Sequence, residues 1–173
     1  MQLRPHQMKA QESMDRHNVG QVIVPTGGGK TYIMIHDAIK TFYYSPVPKT
    51  IVVVAPRILL ANQLCAEFTE FITDVDVAHV HSGETHYFST TKTKRLENWY
   101  HKSTKNILIF TTYHSLHKVK ASLDIEIDTI FYDEAHNGTQ KNFFEAVKGI
   151  TADRKYYFTA TPKISKSGAE NGM

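Results

Sequence analysis

Apolar residues along this chain fall into short, nearly continuous runs separated by longer amphipathic stretches. The runs are Val22-Ile23-Val24, Ile51-Val52-Val53-Val54, Val75 to Val80, Ile107 to Phe110, Thr129 to Tyr132 and Tyr156 to Phe158. They are rich in β-branched and aromatic residues and show little polar alternation, as strands covered on both faces require. The first strand is expected over 20–24 and the second over 50–55. Between the runs, helical spacing predicts helices over 5–16, with Pro5 in the first turn, over 30 to about 43, and over 58–71. The last of these carries Ile58, Leu59, Leu60, Leu64, Cys65, Phe68 and Phe71. Ser45-Pro46-Val47-Pro48 is a turn that cannot continue a helix. Residues 84 to 90 read as a loop, followed by a helix near 91–101 with Leu96, Trp99 and Tyr100. A further helix is expected to start within 111–116, and a short one over 143–147 ends at Gly149. Strands alternating with helices predict a three-layer α/β/α domain around a mostly parallel sheet. Ligands in such sheets bind beyond the carboxyl ends of the strands.

One stretch at such an end carries recognisable chemistry. The first strand runs into Val24-Pro25-Thr26-Gly27-Gly28-Gly29-Lys30-Thr31, and a helix follows. Glycines let successive backbone N–H groups curl around an anion, and the helix adds its unpaired N–H groups and positive dipole end. Lys30 reaches β- and γ-phosphates in such a loop, and the Thr31 hydroxyl suits Mg²⁺. The bland alternative is a flexible turn before an ordinary helix. The usual phosphate-loop pattern also places glycine where this chain has Val24. Asp133 and Glu134 follow the run Ile130-Phe131-Tyr132. A carboxylate there suits Mg²⁺. Its neighbour, expected to point the other way, is available to orient or deprotonate water. The alternative is a pair of solvated turn carboxylates.

Composition narrows the class without naming a function. The chain has 173 residues, enough for one domain with a real core, and its formal net charge is +3. So small a basic excess permits nucleic acid as a partner without arguing for it. Ten histidines are scattered with no metal-ligand spacing, and there is one cysteine, so zinc is not expected. Histidines 79, 81, 86, 101, 114 and 117 are read as surface or core residues, and Cys65 as a small core residue. A lone cysteine gives no disulfide framework and suits an intracellular compartment, cellular or viral. No apolar run approaches the roughly 20 residues that span a bilayer. The stretch Lys92-Thr93-Lys94-Arg95 reads as the solvated face of an amphipathic helix, with a nucleic-acid patch as the alternative.

The motifs together carry a resemblance. Asp133-Glu134-Ala135-His136 spells a DEAH box. With Leu3-Arg4-Pro5-His6-Gln7, Pro25 to Thr31 and Thr159-Ala160-Thr161-Pro162 in that order, the chain resembles the first RecA-like P-loop NTPase domain of a superfamily 2 helicase. The branch is that of type I and type III restriction-enzyme helicase subunits and DNA-repair translocases. The resemblance spans residues 3 to 162, and in this branch the loop commonly opens with Pro-Thr-Gly.

The resemblance implies ATP and Mg²⁺ as cofactors and nucleic acid as partner, DNA more than RNA. Gln7, assisted by Arg4, is implied to hold adenine, and Pro25, Thr26, Gly27, Gly28, Gly29, Lys30 and Thr31 the phosphates. Thr31 and Asp133 hold Mg²⁺, Glu134 activates water, and His136 couples the site to Thr159 and Thr161. Pro56-Arg57 and Thr112-Tyr113 match the motifs that contact the phosphate backbone of a nucleic-acid strand, which position it without reading sequence. Residues 1–162 are expected to form the ATP-binding domain and 163–173 a polar tail toward a second RecA-like domain not present here. The isolated chain is therefore expected to hydrolyse ATP slowly or not at all. A non-catalytic, nucleotide-dependent binding module is the alternative.

Overall fold

The computed structural model describes residues 2–24, 29–83, 85–135 and 140–159, with backbone only for 140–142. Of the candidate site residues, Pro25, Thr26, Gly27, Gly28, His136 and Thr161 lie outside the described residues.

In chain order the elements are α1 (Pro5–Arg16), β1 (Val19–Ile23), α2 (Lys30–Tyr44), β2 (Thr50–Ala55), α3 (Ile58–Phe71), β3 (Val75–Val80), β4 (Phe88–Ser89), α4 (Thr93–Lys102), β5 (Asn106–Thr112), α5 (Leu116–Lys120), β6 (Ile127–Tyr132), α6 (Gln140–Val147) and β7 (Ala152–Thr159). The seven strands form one sheet in the order β1-β7-β6-β2-β5-β3-β4. Every neighbouring pair is parallel.

The strand β2 shows why its run reads as continuously apolar. It lies between β5 and β6, and all of its residues are buried. Side chains alternate across the sheet. Ile51, Val53 and Ala55 enter one core with Ile33, Met34, Phe68 and Phe158. Val52 and Val54 enter the other with Leu96, Leu116, Ile130 and Tyr132. A strand with a core on each face has no solvated side to mark with polar residues.

Three expectations about the elements change. The strand β7 begins at Ala152, earlier than the apolar run, because a charged residue is absorbed inside. Arg154 makes a two-pronged ion pair with Asp37 of α2, at 2.9 and 2.6 Å, and its Nε donates to the Tyr156 hydroxyl at 3.0 Å. Gln11 of α1 donates to the same Asp37 at 3.0 Å, so one buried network ties α1, α2 and β7 together. The strand β5 continues to Thr112, where a helix start was expected, and α5 begins only at Leu116. The expected loop over 84–90 holds a short edge strand, β4. Phe88 in it lies flat on Trp99, with ring centroids 5.4 Å apart.

Among the described residues no helix is long and apolar enough to cross a membrane.

Candidate nucleotide site

The parallel sheet brings the carboxyl ends of β1, β7 and β6 side by side. At the end of β1, the Val24 N–H donates to the Thr159 carbonyl of β7 at 3.0 Å. On the other side of β7, the Ala135 N–H donates to the Phe158 carbonyl at 2.9 Å. The end of β7 thus holds the entry to the glycine-rich loop and the Asp133–Ala135 turn against one another. Thr159 itself is buried.

Lys30 opens α2 behind Gly29, which adopts φ +73° as the residue capping the helix. Only glycine takes that conformation at no steric cost. Space imposes the same choice, since a Cβ on Gly29 would stand 2.5 Å from Gln7 Nε2. The Lys30 ammonium reaches across the sheet end to both carboxylates. Its Nζ lies 2.9 Å from Asp133 Oδ1 and also donates to Glu134 Oε1. Burial works against the ammonium, but Asp133 and Glu134 outweigh it and raise the Lys30 pKa. Burial lifts the Asp133 carboxyl above the usual carboxylate range, with Lys30 opposing.

Asp133 and Glu134 were expected to point apart, as neighbours in a strand do. Both instead meet Lys30. The chain leaves β6 at Asp133, and Glu134 takes φ 54°, a left-handed conformation uncommon for a residue with a Cβ. That backbone turn replaces strand alternation and aims both carboxylates at one ammonium. Asp133 is fixed from behind, its N–H donating to the Val54 carbonyl at 2.8 Å. Its own carbonyl accepts the Tyr113 hydroxyl at 2.8 Å.

Gln7 is buried and packs against Gly29. Its amide oxygen accepts the Arg4 N–H at 2.8 Å, and its Nε2 donates to the Gly29 carbonyl at 3.1 Å. Thr31 follows Lys30 in the first turn of α2. The second group of candidates lies at the ends of β2 and β5. Arg57 is exposed just before α3, beside half-buried Pro56. Thr112 is buried, and its hydroxyl accepts the Ser115 N–H at 3.2 Å, turning the chain toward α5. The hydroxyls of Thr112 and Tyr113 thus have partners inside the domain. Tyr113 as a support for Asp133 was not legible from the sequence, since its partner is a main-chain carbonyl of another strand. Arg154 was missed as well. The one available signal was Asp37, an acidic residue on the buried face of α2.

For Mg²⁺ the donor set fits. Asp133 Oδ1 is buried against the Lys30 ammonium at 2.9 Å. Among the described residues no cluster of three or more His, Cys, Asp or Glu side chains could cage a metal. One carboxylate, with the Thr31 hydroxyl offered from the first turn of α2, suits an ion whose other ligands are water and phosphate oxygens.

A RecA-like domain of the superfamily 2 helicase type is what this fold and this order of strand-end residues define. The chain belongs to the family of the type III restriction enzyme res subunit, whose model matches residues 1–164. Comparison with curated protein sequences gives no match. Among solved structures it is similar to a nuclease-deletion mutant of the Type ISP restriction-modification enzyme LlaGI in complex with a DNA substrate mimic. That match has a TM-score of 0.82 and 24% identity, over 96% of this chain and 18% of that one. The Hef helicase domain of Pyrococcus furiosus matches with a TM-score of 0.71 and 15% identity, over 97% of this chain and 35% of that one. The SWI2/SNF2 ATPase core of Sulfolobus solfataricus, in complex with dsDNA, matches with a TM-score of 0.63 and 22% identity, over 97% and 34%. The chain thus spans about a third or less of each of these structures.

Proposed function

We propose that this domain is the ATP-binding half of a DNA-dependent motor, with residues 1–162 hydrolysing ATP when a second RecA-like domain closes the site. The observation that carries the reading is the grip of Asp133 and Glu134 on Lys30, which joins the ends of β6 and β1 from either side of β7. A polyphosphate entering the loop draws Lys30 toward its own oxygens and releases both carboxylates. Asp133 and Thr31 would hold Mg²⁺, which would supply positive charge against the developing negative charge of the phosphates. Glu134, half-buried and freed from Lys30, orients and deprotonates the attacking water. Gln7 lies against Gly29, and on nucleotide binding its amide exchanges internal partners for the adenine edge. Pro56, Arg57 and the β5–α5 turn at Thr112 and Tyr113 position a phosphate backbone, with Arg57 as the direct contact. His136 and Thr161, with Thr159, transmit the state of the site to the second domain.

The test is ATP hydrolysis by a longer chain that includes a second RecA-like domain, with and without duplex DNA or RNA. DNA-stimulated turnover that falls about 10²- to 10⁴-fold in Glu134→Gln is expected for loss of a general base. Full turnover in that variant overturns the assignment of Glu134. Nucleotide binding without hydrolysis in the longer chain makes the domain a nucleotide-dependent binding module instead.

A further inference from the structure

Tyr32 follows Lys30 by two residues in the first turn of α2, and its aromatic side chain is left 45% exposed. Apolar residues exposed singly are ordinary on a protein surface, but this one has a companion. Phe71, at the end of α3, is 39% exposed. It stands perpendicular to Tyr32, with ring centroids 5.9 Å apart and planes at 83°. A perpendicular neighbour covers at most one face of a ring. Two aromatic rings from separate helices thus meet at the surface beside the start of α2.

Gly29 fixes where Tyr32 stands relative to Gln7. The Gly29 carbonyl accepts the Tyr32 N–H at 3.1 Å and a Gln7 Nε2–H, also at 3.1 Å. One oxygen atom therefore ties the backbone of Tyr32 to the amide assigned to adenine. The side chains converge on the bare side of the same glycine. The place a Gly29 Cβ would take has Gln7 Nε2 at 2.5 Å, Arg4 Nη2 at 3.1 Å and Tyr32 Cδ2 at 3.3 Å. The edge of the Tyr32 ring, the Gln7 amide and the Arg4 guanidinium thus border one small space, which a side chain on residue 29 would crowd.

A base held by its edge still has two apolar faces to remove from water. Hydrogen bonds to an amide lie in the plane of the base. Aromatic stacking uses the surface perpendicular to that plane, so the two contacts do not compete. Phe71 holds the Tyr32 ring in place before a ligand arrives, which leaves less rotamer freedom to lose on binding. We propose that Tyr32, braced by Phe71, is the platform on which the base of the bound nucleotide stacks, while Gln7 meets the edge of the same base. The proposal rests on the nucleotide-site reading given above and adds to it a residue that no phosphate or metal role accounts for. Tyr32 is a positioning residue that supplies affinity for the base, while Lys30 and Thr31 take the phosphates and the metal.

Titration calorimetry of the full chain in Mg²⁺ tests this, with ATP as the base-bearing probe and inorganic tripolyphosphate as the probe without a base. Tyr32→Leu keeps an apolar side chain and removes the ring. It is expected to weaken ATP binding about tenfold, the scale of one base–aromatic stack, and to leave tripolyphosphate binding unchanged. Tyr32→Phe keeps the ring and the wild-type affinity for ATP. In the chain labelled at its tyrosines, the Tyr32 ring protons, identified by their loss in Tyr32→Phe, shift upfield with ATP and stay in place with tripolyphosphate. That signature needs no destabilising variant, so the test stands even if Tyr32→Leu fails to fold. The proposal is overturned by unchanged ATP affinity in Tyr32→Leu, by an equal loss for tripolyphosphate, or by ring protons that ATP does not move. A wild-type chain that binds neither probe overturns the nucleotide-site reading itself, and the proposal with it.

Discussion

Lys30 Nζ lies 2.9 Å from Asp133 Oδ1 and donates to Glu134 Oε1, joining the start of α2 to the turn after β6. Asp133 is nearly buried, so its charge depends on that ammonium. The same contact offsets the repulsion between the two carboxylates.

Replacing Lys30 by Ala leaves Asp133 charged in a buried place. We expect a stability loss of about 1–2 kcal/mol near neutral pH, the scale for an uncompensated buried polar group at a partly solvated site. The loss has a defined pH dependence. The Asp133 pKa in the folded state already lies above its ordinary value of 3.8 because of burial. A carboxyl raised in this way costs stability as pH rises above that ordinary value, since the folded state then holds the extra proton. Without Lys30 the rise is larger, so the deficit shrinks as pH falls toward 4. Urea denaturation at pH 5 and 8 checks this, and an equal deficit at both values excludes it.

Gly29 combines a left-handed backbone with a near neighbour. Gly29→Ala is expected to cost about 1–2 kcal/mol from the backbone conformation alone. The Cβ also meets Gln7 Nε2 at 2.5 Å. Measured in a Gln7→Ala background, the same substitution should cost less, because the clash is gone and the backbone term remains. Equal costs in the two backgrounds would mean that Gln7 yields freely.

Glu134 holds φ 54° despite its Cβ. Gly at this position should be more stable than Ala by about 1 kcal/mol, the reverse of their order in a helix. Both substitutions remove the carboxylate, so comparing their denaturation midpoints isolates the backbone. Hydrolysis by the two-domain protein should be lost in both. A more stable Ala variant refutes the strain.

Tyr113 donates to the Asp133 carbonyl at 2.8 Å. Tyr113→Phe should cost about 1 kcal/mol. In the two-domain protein it should lower turnover while leaving affinity for DNA unchanged. If DNA affinity falls and turnover at saturating DNA holds, Tyr113 is a nucleic-acid contact and not a support for Asp133.

Asp37 is buried, Arg154 is half-buried, and the pair is doubly bonded. Removing one partner strands the other, so Arg154→Met should cost about 3–5 kcal/mol. The double variant Asp37→Leu with Arg154→Met should recover a large part of that, because no buried charge is left unpaired. A double variant as unstable as the sum of the singles would show that the network contributes more than charge neutralisation.

What the sequence by itself determined is the sheet and the location of its working edge. Continuous β-branched runs mark strands with no solvated face, and β2 is buried from Thr50 to Ala55. Glycines, Lys30 and Asp133 stand at the ends of such runs, where a parallel sheet collects its ligand groups. Tertiary structure decided what is set by partners distant in the chain. The strand β7 was concealed by Arg154, whose charge is answered by Asp37 on a helix 117 residues away in sequence. Glu134 shares an ammonium with Asp133 because one backbone angle leaves the strand pattern, and periodicity carries no trace of that. Local runs reflect burial, which a chain records residue by residue. Pairings of charge depend on three-dimensional neighbours that no local pattern encodes.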